Sequence, residues 1–227
     1  MKVSFSLFSL AAFAASAFAG PVPEDPRSDY TRQEPVGTRQ VGDTANEFLE
    51  GGCRDVIFIY ARGTTQDGNI GSAPGPQTID LLKAALGDAV VAAQGVEYPA
   101  NLLDNLHEGG CDPDDAEGMA ALITQAATEC PDAQLVVSGF SQGAAMVHRS
   151  VEQLETAVAA RIVAGVTYGD TQREQDGGLI PGLDAERTHI ICHDGDLVCE
   201  GTLIVTDAHD GYENEAPEAV EFIVGRL

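Results

Sequence analysis

The feature that most constrains the fold of this chain is the stretch SGFSQGAAM at residues 138–146, which directly follows the apolar run LVV. The apolar run predicts a short buried strand, and the residues after Ser141 predict a helix. A strand that turns into a helix within one residue needs a sharp corner. Gly139 and Gly143 have no Cβ, so the strand and the helix could approach closely there. Such a corner would expose the Ser141 hydroxyl at the carboxyl end of a sheet, beside a helix that begins at Gln142. Ser141 is therefore a candidate nucleophile.

The rest of the sequence repeats this alternation of strand and helix. The predicted strands are continuously apolar rather than alternating, which is typical of a parallel sheet that is covered on both faces. The sequence therefore predicts an α/β protein with a central, mostly parallel five-stranded sheet between two helical layers. The five predicted strands are DVIFIYA, AVVAAQGVEY, QLVVSGF, RIVAGVTYG and THIICH.

The amino-terminal region differs in composition from the rest. Residues 1–19 begin with a positive charge at Lys2, continue with an apolar stretch, and end in Ala17-Phe18-Ala19. This pattern predicts a secretory signal that is cleaved after Ala19, and the apolar stretch is too short for a membrane span. Residues 20–51 are polar and rich in proline, which predicts a flexible pro-segment or tail. Within this tail, TANEFLEG predicts one helical turn with Thr44 as N-cap.

The length of 227 residues favours one domain, which we place at residues 52–227. The formal charge of −24 argues against a nucleic-acid partner and against an anionic membrane surface, since both need clustered Lys and Arg. The same charge favours a soluble monomer. No cofactor fingerprint occurs, and the spacings of the cysteines and aspartates match no zinc or calcium pattern, so we expect neither a cofactor nor a metal.

A serine nucleophile needs a base, and in this architecture the base comes later in the chain than the serine. Four histidines follow Ser141. His148 would lie two helical turns from the corner, roughly 10 Å along the axis, which is too far to take the proton. His189 should lie within a strand. His193 could compete, but it directly precedes the candidate acids. His209 lies in a polar loop ahead of the last helix, and such a loop could bring it over the sheet edge.

The orienting acid is expected between Cys192 and Cys199, which are close enough in sequence to form a local disulfide. Asp194 and Asp196 both lie in this loop, and the residues alone do not separate them. Sequence spacing also leaves the pairing of the other three cysteines open: Cys53, Cys111 and Cys130.

Three separated stretches resemble the cutinase family: CRDVIFIYARGTTQDGNIG, CPDAQLVVSGFSQGAAM and CHDGDLVCEGTLIVTDAH. They occur in the family's order, and the spacing fits along nearly all of residues 53–227. The resemblance implies a secreted serine esterase with a small α/β-hydrolase fold. It implies Ser141 as nucleophile and His209 as base. Asp196 is then the acid, because it occupies the acid's place in the family's G-D-x-V-C stretch, here GDLVC.

The resemblance also implies several supporting residues. Thr64 and Gln142 would form the oxyanion hole, and Asn105 would steady the Thr64 hydroxyl. It implies the disulfides Cys53–Cys130 and Cys192–Cys199, which would leave Cys111 free. The expected apolar contacts to an acyl chain are Leu102, Leu203 and Val205.

Several features depart from the family pattern, including the acidic stretch EYPANLLDNLHEGGCDPDD, which holds Cys111. Phe140 stands where Tyr is usual, and Asp207 and Asp210 flank the base where related proteins tend to be apolar. One rim of the cleft is therefore expected to be more polar than in enzymes that grip long acyl chains.

The sequence thus predicts an extracellular carboxylesterase that acts on cutin-like polyesters and short-chain esters. One alternative is an acetylxylan esterase, which shares the fold and the triad. Another is a secreted binding protein or elicitor that kept the fold without turnover. Comparison of acetate release from acetylated xylan with fatty-acid release from cutin separates the cutin hydrolase from the acetylxylan esterase. The activity of a Ser141→Ala variant, compared with wild type, tests the non-catalytic alternative.

Overall fold

The computed structural model describes residues 41–227, and a five-stranded sheet forms its centre. All neighbouring strands are parallel, in the spatial order β2-β1-β3-β4-β5. The predicted parallel five-stranded sheet is therefore confirmed. The strands are β1 (Val56–Ala61), β2 (Val91–Gly95), β3 (Gln134–Phe140), β4 (Ile162–Tyr168) and β5 (Thr188–Ile191).

In the described part of the chain, six α-helices connect and cover the strands: α1 (Glu47–Gly51), α2 (Gly75–Leu86), α3 (Pro113–Glu129), α4 (Gln142–Glu152), α5 (Thr156–Ala159) and α6 (Ala216–Val224). Short 3₁₀ turns span Leu102–Leu106, Leu197–Glu200, Asp207–His209 and Tyr212–Glu215. The sequence predicted one helix from the serine corner to about residue 159. Instead the chain leaves the helix after Glu152, and Leu154 packs against the core before α5 begins.

The two helical layers bury opposite faces of the sheet. Along β1, Ile57 and Ile59 pack in a core with residues of α3 and α4, whereas Phe58 and Tyr60 pack in a second core with residues of α2 and α6. All four side chains are fully buried. Each such burial contributes about 2 kcal/mol to folding, which is why both faces of this strand are apolar.

The part of the predicted tail that the structure describes is packed on the domain. Phe48 of α1 is only 2% exposed, and the main-chain N–H of Ala45 donates to Asn69 Oδ1 at 2.9 Å. Helix α1 begins at Glu47, so its N-cap is Asn46 and not Thr44 as predicted. The Thr44 hydroxyl donates to Asp43 Oδ1 instead. The predicted signal segment, the cleavage after Ala19 and the rest of the tail lie outside the described residues.

Both expected disulfides are present. Cys53–Cys130 joins the chain before β1 to the end of α3, and Cys192–Cys199 closes a short loop after β5. Cys111 is free and buried, as expected.

The strand order puts a topological switch point between β1 and β3, because the connection from β1 leads to β2 on one side and the connection from β3 leads to β4 on the other. In open parallel sheets, ligands bind outside the carboxyl ends of the strands at such a point. Thr64 follows β1 there, and Ser141 follows β3 directly. Within residues 41–227, no helix is long and apolar enough to cross a lipid bilayer.

Candidate active site

The corner at Ser141 has the strained backbone that its sequence predicts. Ser141 has φ +57° and ψ −118°, in a region that residues with a side chain rarely adopt. Its N–H donates to the Tyr168 carbonyl at 2.9 Å, which ties the corner to the end of β4. A Cβ on Gly139 would lie 2.1 Å from the carbonyl oxygen of Gly143, and one on Gly143 would lie 2.0 Å from that of Ala61. Only glycine therefore fits at either flank.

Three of the predicted side chains meet in one hydrogen-bonded chain above this corner. His209 Nε2 lies 3.0 Å from Ser141 Oγ, and His209 Nδ1 lies 2.8 Å from Asp196 Oδ2. His209 is 6% exposed and Asp196 1% exposed. A carboxylate can only accept hydrogen bonds, so Asp196 favours the His209 tautomer that carries its proton on Nδ1. Nε2 of His209 is then free to accept a hydrogen bond from the Ser141 hydroxyl. This arrangement can move a proton from the serine to the imidazole.

The structure separates the two candidate acids. Asp194 is exposed, whereas Asp196 points inward and is held on both carboxylate oxygens. The Val198 N–H donates to Oδ1 at 3.1 Å, and the Tyr212 hydroxyl donates to Oδ2 at 2.7 Å. Burial raises the pKa of Tyr212 above its ordinary value, so its phenol keeps the proton that it donates. Sequence reasoning missed Tyr212, since nothing in its neighbourhood marks it apart from being three residues after His209.

The other three histidines after the corner are engaged elsewhere. His189 lies in β5 and pairs with Glu218 at 2.9 Å. His193 approaches the Ala208 carbonyl at 2.9 Å and stacks on Tyr212 with ring centroids 4.0 Å apart. His148 lies between two carboxylates on the far part of α4.

The proposed oxyanion region lies between the ends of β1 and β3. Thr64 follows β1, and Asn105 Nδ2 donates to its Oγ1 at 3.0 Å. Gln142 is fully buried at the first position of α4, and its side chain donates to the Asn101 carbonyl at 2.9 Å. The main-chain N–H groups at a helix start are free of intrahelical partners, so the one at Gln142 is available to a developing negative charge.

A sequence profile of the Cutinase family matches residues 52–227. The chain belongs to the cutinase family. It is a carboxylic ester hydrolase. It is 56% identical to cutinase CUT2 of Pyricularia oryzae over 227 residues, which cover 100% of both chains.

Solved structures agree with this assignment. The Trichoderma reesei cutinase, in complex with a phosphonate inhibitor, matches with a TM-score of 0.74 and 35% identity, over 81% of this chain and 80% of that one. The catalytic core domain of a Trichoderma reesei acetyl xylan esterase matches with a TM-score of 0.58 and 19% identity, over 77% of this chain and 100% of that one. At that identity the second match shows a shared fold. The α/β-hydrolase type of fold is therefore confirmed.

The three expected acyl-chain contacts of this cutinase-family enzyme are exposed apolar side chains. Leu102, Leu203 and Val205 are 70%, 55% and 68% exposed. They belong to two segments, and Leu103, Leu106 and Ile204 of the same segments are also exposed. A cavity of about 140 Å³ touches both segments through Asn105 and Leu203, and most of its remaining lining is polar or glycine.

Two further residues of the enzyme shape the position of His209. The Phe140 ring stacks on the imidazole, with centroids 5.0 Å apart and an interplanar angle of 26°. Gly169 follows β4 with φ +52°, and a Cβ there would lie 2.7 Å from His209 Cε1. The resemblance to the family singled out Phe140 only as a departure from its pattern. For Gly169, the signal available in the sequence was a glycine directly after an apolar strand.

Within residues 41–227, one surface group places three metal-ligating side chains near each other. Asp104, His107 and Asp112 each offer a donor atom within 4.8 Å of the others. His107 Nε2 lies 3.8 Å from Asp112 Oδ2. None of these side chains takes part in the chain from Ser141 to Asp196.

Proposed function

We propose that this enzyme is a secreted serine carboxylesterase that hydrolyses cutin-like polyesters and short-chain esters through an acyl-enzyme. The observation that carries the proposal is the continuous contact from Ser141 Oγ through the His209 imidazole to the Asp196 carboxylate, at 3.0 and 2.8 Å. A serine hydroxyl, a base and an orienting acid in this geometry are what nucleophilic acyl transfer needs.

In the first half of the reaction, Ser141 Oγ attacks the ester carbonyl carbon while its proton moves to His209 Nε2. The carbonyl oxygen becomes an oxyanion. We assign its stabilisation to the main-chain N–H groups of Thr64 and Gln142, with Asn105 holding the Thr64 hydroxyl. The intermediate then expels the alcohol, which takes the proton from Nε2 and leaves an acyl group on Ser141.

In the second half, water attacks the acyl carbon and gives its proton to His209 Nε2. The second oxyanion collapses, the bond to Ser141 Oγ breaks, and that oxygen recovers the proton as the carboxylic acid leaves. Asp196 stabilises the protonated imidazole in both halves and stays ionised. Apart from the ester substrate and water, every group assigned to these steps belongs to this chain.

The relatives' names and the exposed apolar rim support a polyester substrate. The 56% identical protein of Pyricularia oryzae is a cutinase, and Leu102, Leu203 and Val205 can contact an acyl chain without a buried tunnel. A rim that is exposed in this way suits an insoluble polymer surface, because the substrate chain need not enter the protein. The exposed Asp207 and Asp210 beside the base favour short or hydroxylated chains over long bare ones.

Hydrolysis of 4-nitrophenyl butyrate by the wild type and by Ser141→Ala tests the reaction. We expect the variant to lose at least about a thousandfold in kcat. Equal rates for the two proteins would refute the serine mechanism. A substrate panel then decides the class: release of hydroxy fatty acids from cutin supports the proposal, and release of acetate alone, from acetylated xylan, would replace it with an acetylxylan esterase.

We also propose that residues 1–19 direct secretion and are removed after Ala19, and that the mature enzyme is a monomer without nucleic-acid partners. The basis is the signal-like sequence and the charge of −24. Mass spectrometry of the culture medium should find a chain that begins at or after Gly20. Light scattering should find the mass of one chain.

A further inference from the structure

The mechanism leaves unused a buried charged cluster around His148, further along the helix that begins directly after Ser141. His148 of α4 is fully buried, and both of its ring nitrogens face carboxylates. Nε2 lies 2.9 Å from Asp170 Oδ2, and Nδ1 lies 2.7 Å from Asp176 Oδ2. Arg149 binds Asp176 from its outer side. An imidazole between two carboxylates is held in its protonated form, and the cluster then contains two positive and two negative charges.

Both carboxylate oxygens of Asp170 are hydrogen-bonded. It is fully buried, and its Oδ2 also accepts from the Thr167 hydroxyl at 2.6 Å. Its Oδ1 accepts from the Gln172 N–H at 2.8 Å. Both oxygens of a buried carboxylate are therefore paired, so the main chain at this residue has little freedom to move.

The residue before Asp170 is Gly169, the one that lies against the imidazole of His209. A Cβ on Gly169 would lie 2.7 Å from Cε1 and 3.0 Å from Nδ1 of that ring. The Gly169 N–H donates to the Ile191 carbonyl at 3.0 Å. The carbonyl of the preceding Tyr168 accepts from the Ser141 N–H. The last residue of β4 and the glycine after it therefore contact the backbone of the serine and the ring of the base, respectively.

We propose, on the basis of the function proposed above, that His148 and Asp170 are positioning residues for the esterase reaction. Their ion pair fixes the chain after β4 to helix α4, and the fixed main chain of Gly169 holds the imidazole of His209. The serine lies at the start of the helix that carries His148, so the pair sets the distance between nucleophile and base from outside the reacting groups. Neither residue touches the substrate.

The charges around His148 make the ion pair between His148 and Asp170 dependent on pH. Burial alone would lower the pKa of His148, but Asp170 and Asp176 outweigh it and raise that pKa to about 9. Burial alone would raise the pKa values of both carboxyls, but pairing with the imidazole lowers them below their ordinary range, and Arg149 lowers that of Asp176 further. Burial raises the pKa of the thiol of Cys111, which precedes α3 beside α4, to about 12, so it stays neutral over the same interval.

The test compares Asp170→Asn with Asp176→Asn, using 4-nitrophenyl butyrate and the full chain. Both changes take one carboxylate from His148, but only Asp170 adjoins Gly169. We expect Asp170→Asn to lower kcat about tenfold with KM unchanged, because the reacting groups are misplaced while the binding surface is intact. Asp176→Asn should keep kcat within about twofold of wild type. Equal losses in the two variants, or a wild-type kcat for Asp170→Asn, would overturn the proposal.

A pH profile of the wild type keeps the proposal testable if Asp170→Asn does not fold. The kcat should fall above about pH 9 as His148 loses its proton, while the circular dichroism spectrum stays native. In a folded Asp170→Asn variant this decline should move to lower pH. A wild-type kcat that is flat from about pH 8 to about pH 10 would contradict the role of the ion pair. The Ser141→Ala variant distinguishes failure of the proposed function from failure of the positioning role. A fully active Ser141→Ala variant would show that the proposed function is wrong. An inactive Ser141→Ala variant together with a normal Asp170→Asn variant would show that only the positioning role is wrong.

Discussion

Replacement of Gly169 by alanine places a methyl group directly against the proposed base. The new Cβ would lie 2.7 Å from His209 Cε1 and 3.0 Å from Nδ1, whereas an ordinary contact begins at 3.4 Å. Asp170 holds the main chain at this point through paired carboxylate oxygens, so the glycine has little room to withdraw. The imidazole must therefore shift by about 0.7 Å or more.

The expected effect follows from the distances in the proton path. His209 Nε2 lies 3.0 Å from Ser141 Oγ, and a shift of that size away from the serine would stretch the contact beyond hydrogen-bonding range. A misplacement of about 1 Å can cost a hundredfold in rate, so we expect kcat to fall about a hundredfold. The KM should stay near the wild-type value because the apolar rim is unchanged. Steady-state hydrolysis of 4-nitrophenyl butyrate measures both constants.

A matched control separates this contact from backbone strain. Gly177 also has a positive φ, +67°, and a Cβ there would meet no atom within 4 Å. Alanine in the left-handed region costs about 1–2 kcal/mol of stability at either position. We therefore expect both variants to lose this strain cost in the free energy of unfolding, and Gly169→Ala to lose more because its methyl group also overpacks against His209 and Tyr212. Only Gly169→Ala should lower kcat. A Gly169→Ala enzyme that is folded and turns over at the wild-type rate would refute the reasoning.

Three other predictions concern Asn105, the two candidate acids and His148. Asn105→Ala removes the donor to the Thr64 hydroxyl at 3.0 Å and should lower kcat about tenfold with little change in KM; an unchanged kcat would separate Asn105 from the oxyanion hole. Asp196→Asn should lower kcat by about 10⁴ because the amide favours the wrong imidazole tautomer, whereas the exposed Asp194→Asn should be neutral; steady-state kinetics that reverse this order would reassign the acid. The pKa of His148 is raised to about 9 in the folded enzyme, so the stability that it contributes is fully present below its ordinary value of 6.5 and is lost as the pH rises through 9. Urea unfolding between those two pH values should show a loss of about 3 kcal/mol in the wild type and a smaller one in His148→Gln, and equal losses would argue against the charged imidazole.

The sequence was most informative where a constraint is local. Gly139 and Gly143 flank a strand–helix corner because backbone atoms occupy the space of any side chain, and this requirement is visible in adjacent residues. Five apolar runs with helical segments between them were enough to predict the parallel sheet. The helix boundaries were less well predicted: α4 ends at Glu152 because the chain turns Leu154 into the core, and no local residue type announces that turn.

The candidate acids show where local reasoning stops. Asp194 and Asp196 are two residues apart in one short disulfide loop, and their composition and spacing are equivalent. The resemblance to the cutinase family chose between them. In the structure they differ because Asp196 faces inward to Tyr212 and His209, while Asp194 faces solvent. That difference depends on how the loop packs against a segment that lies further along the chain.

The amino-acid order by itself determined the sheet, the serine corner and the family, because each depends on neighbouring residues or on motifs in series. The resemblance to the family named His209 and Asp196, but only the tertiary structure shows the contacts from Ser141 to His209 and from His209 to Asp196, and it alone paired His148 with Asp170. Those contacts join residues 13 to 68 positions apart in the chain. Their distances are set by the packing of whole strands and helices, which no short segment encodes.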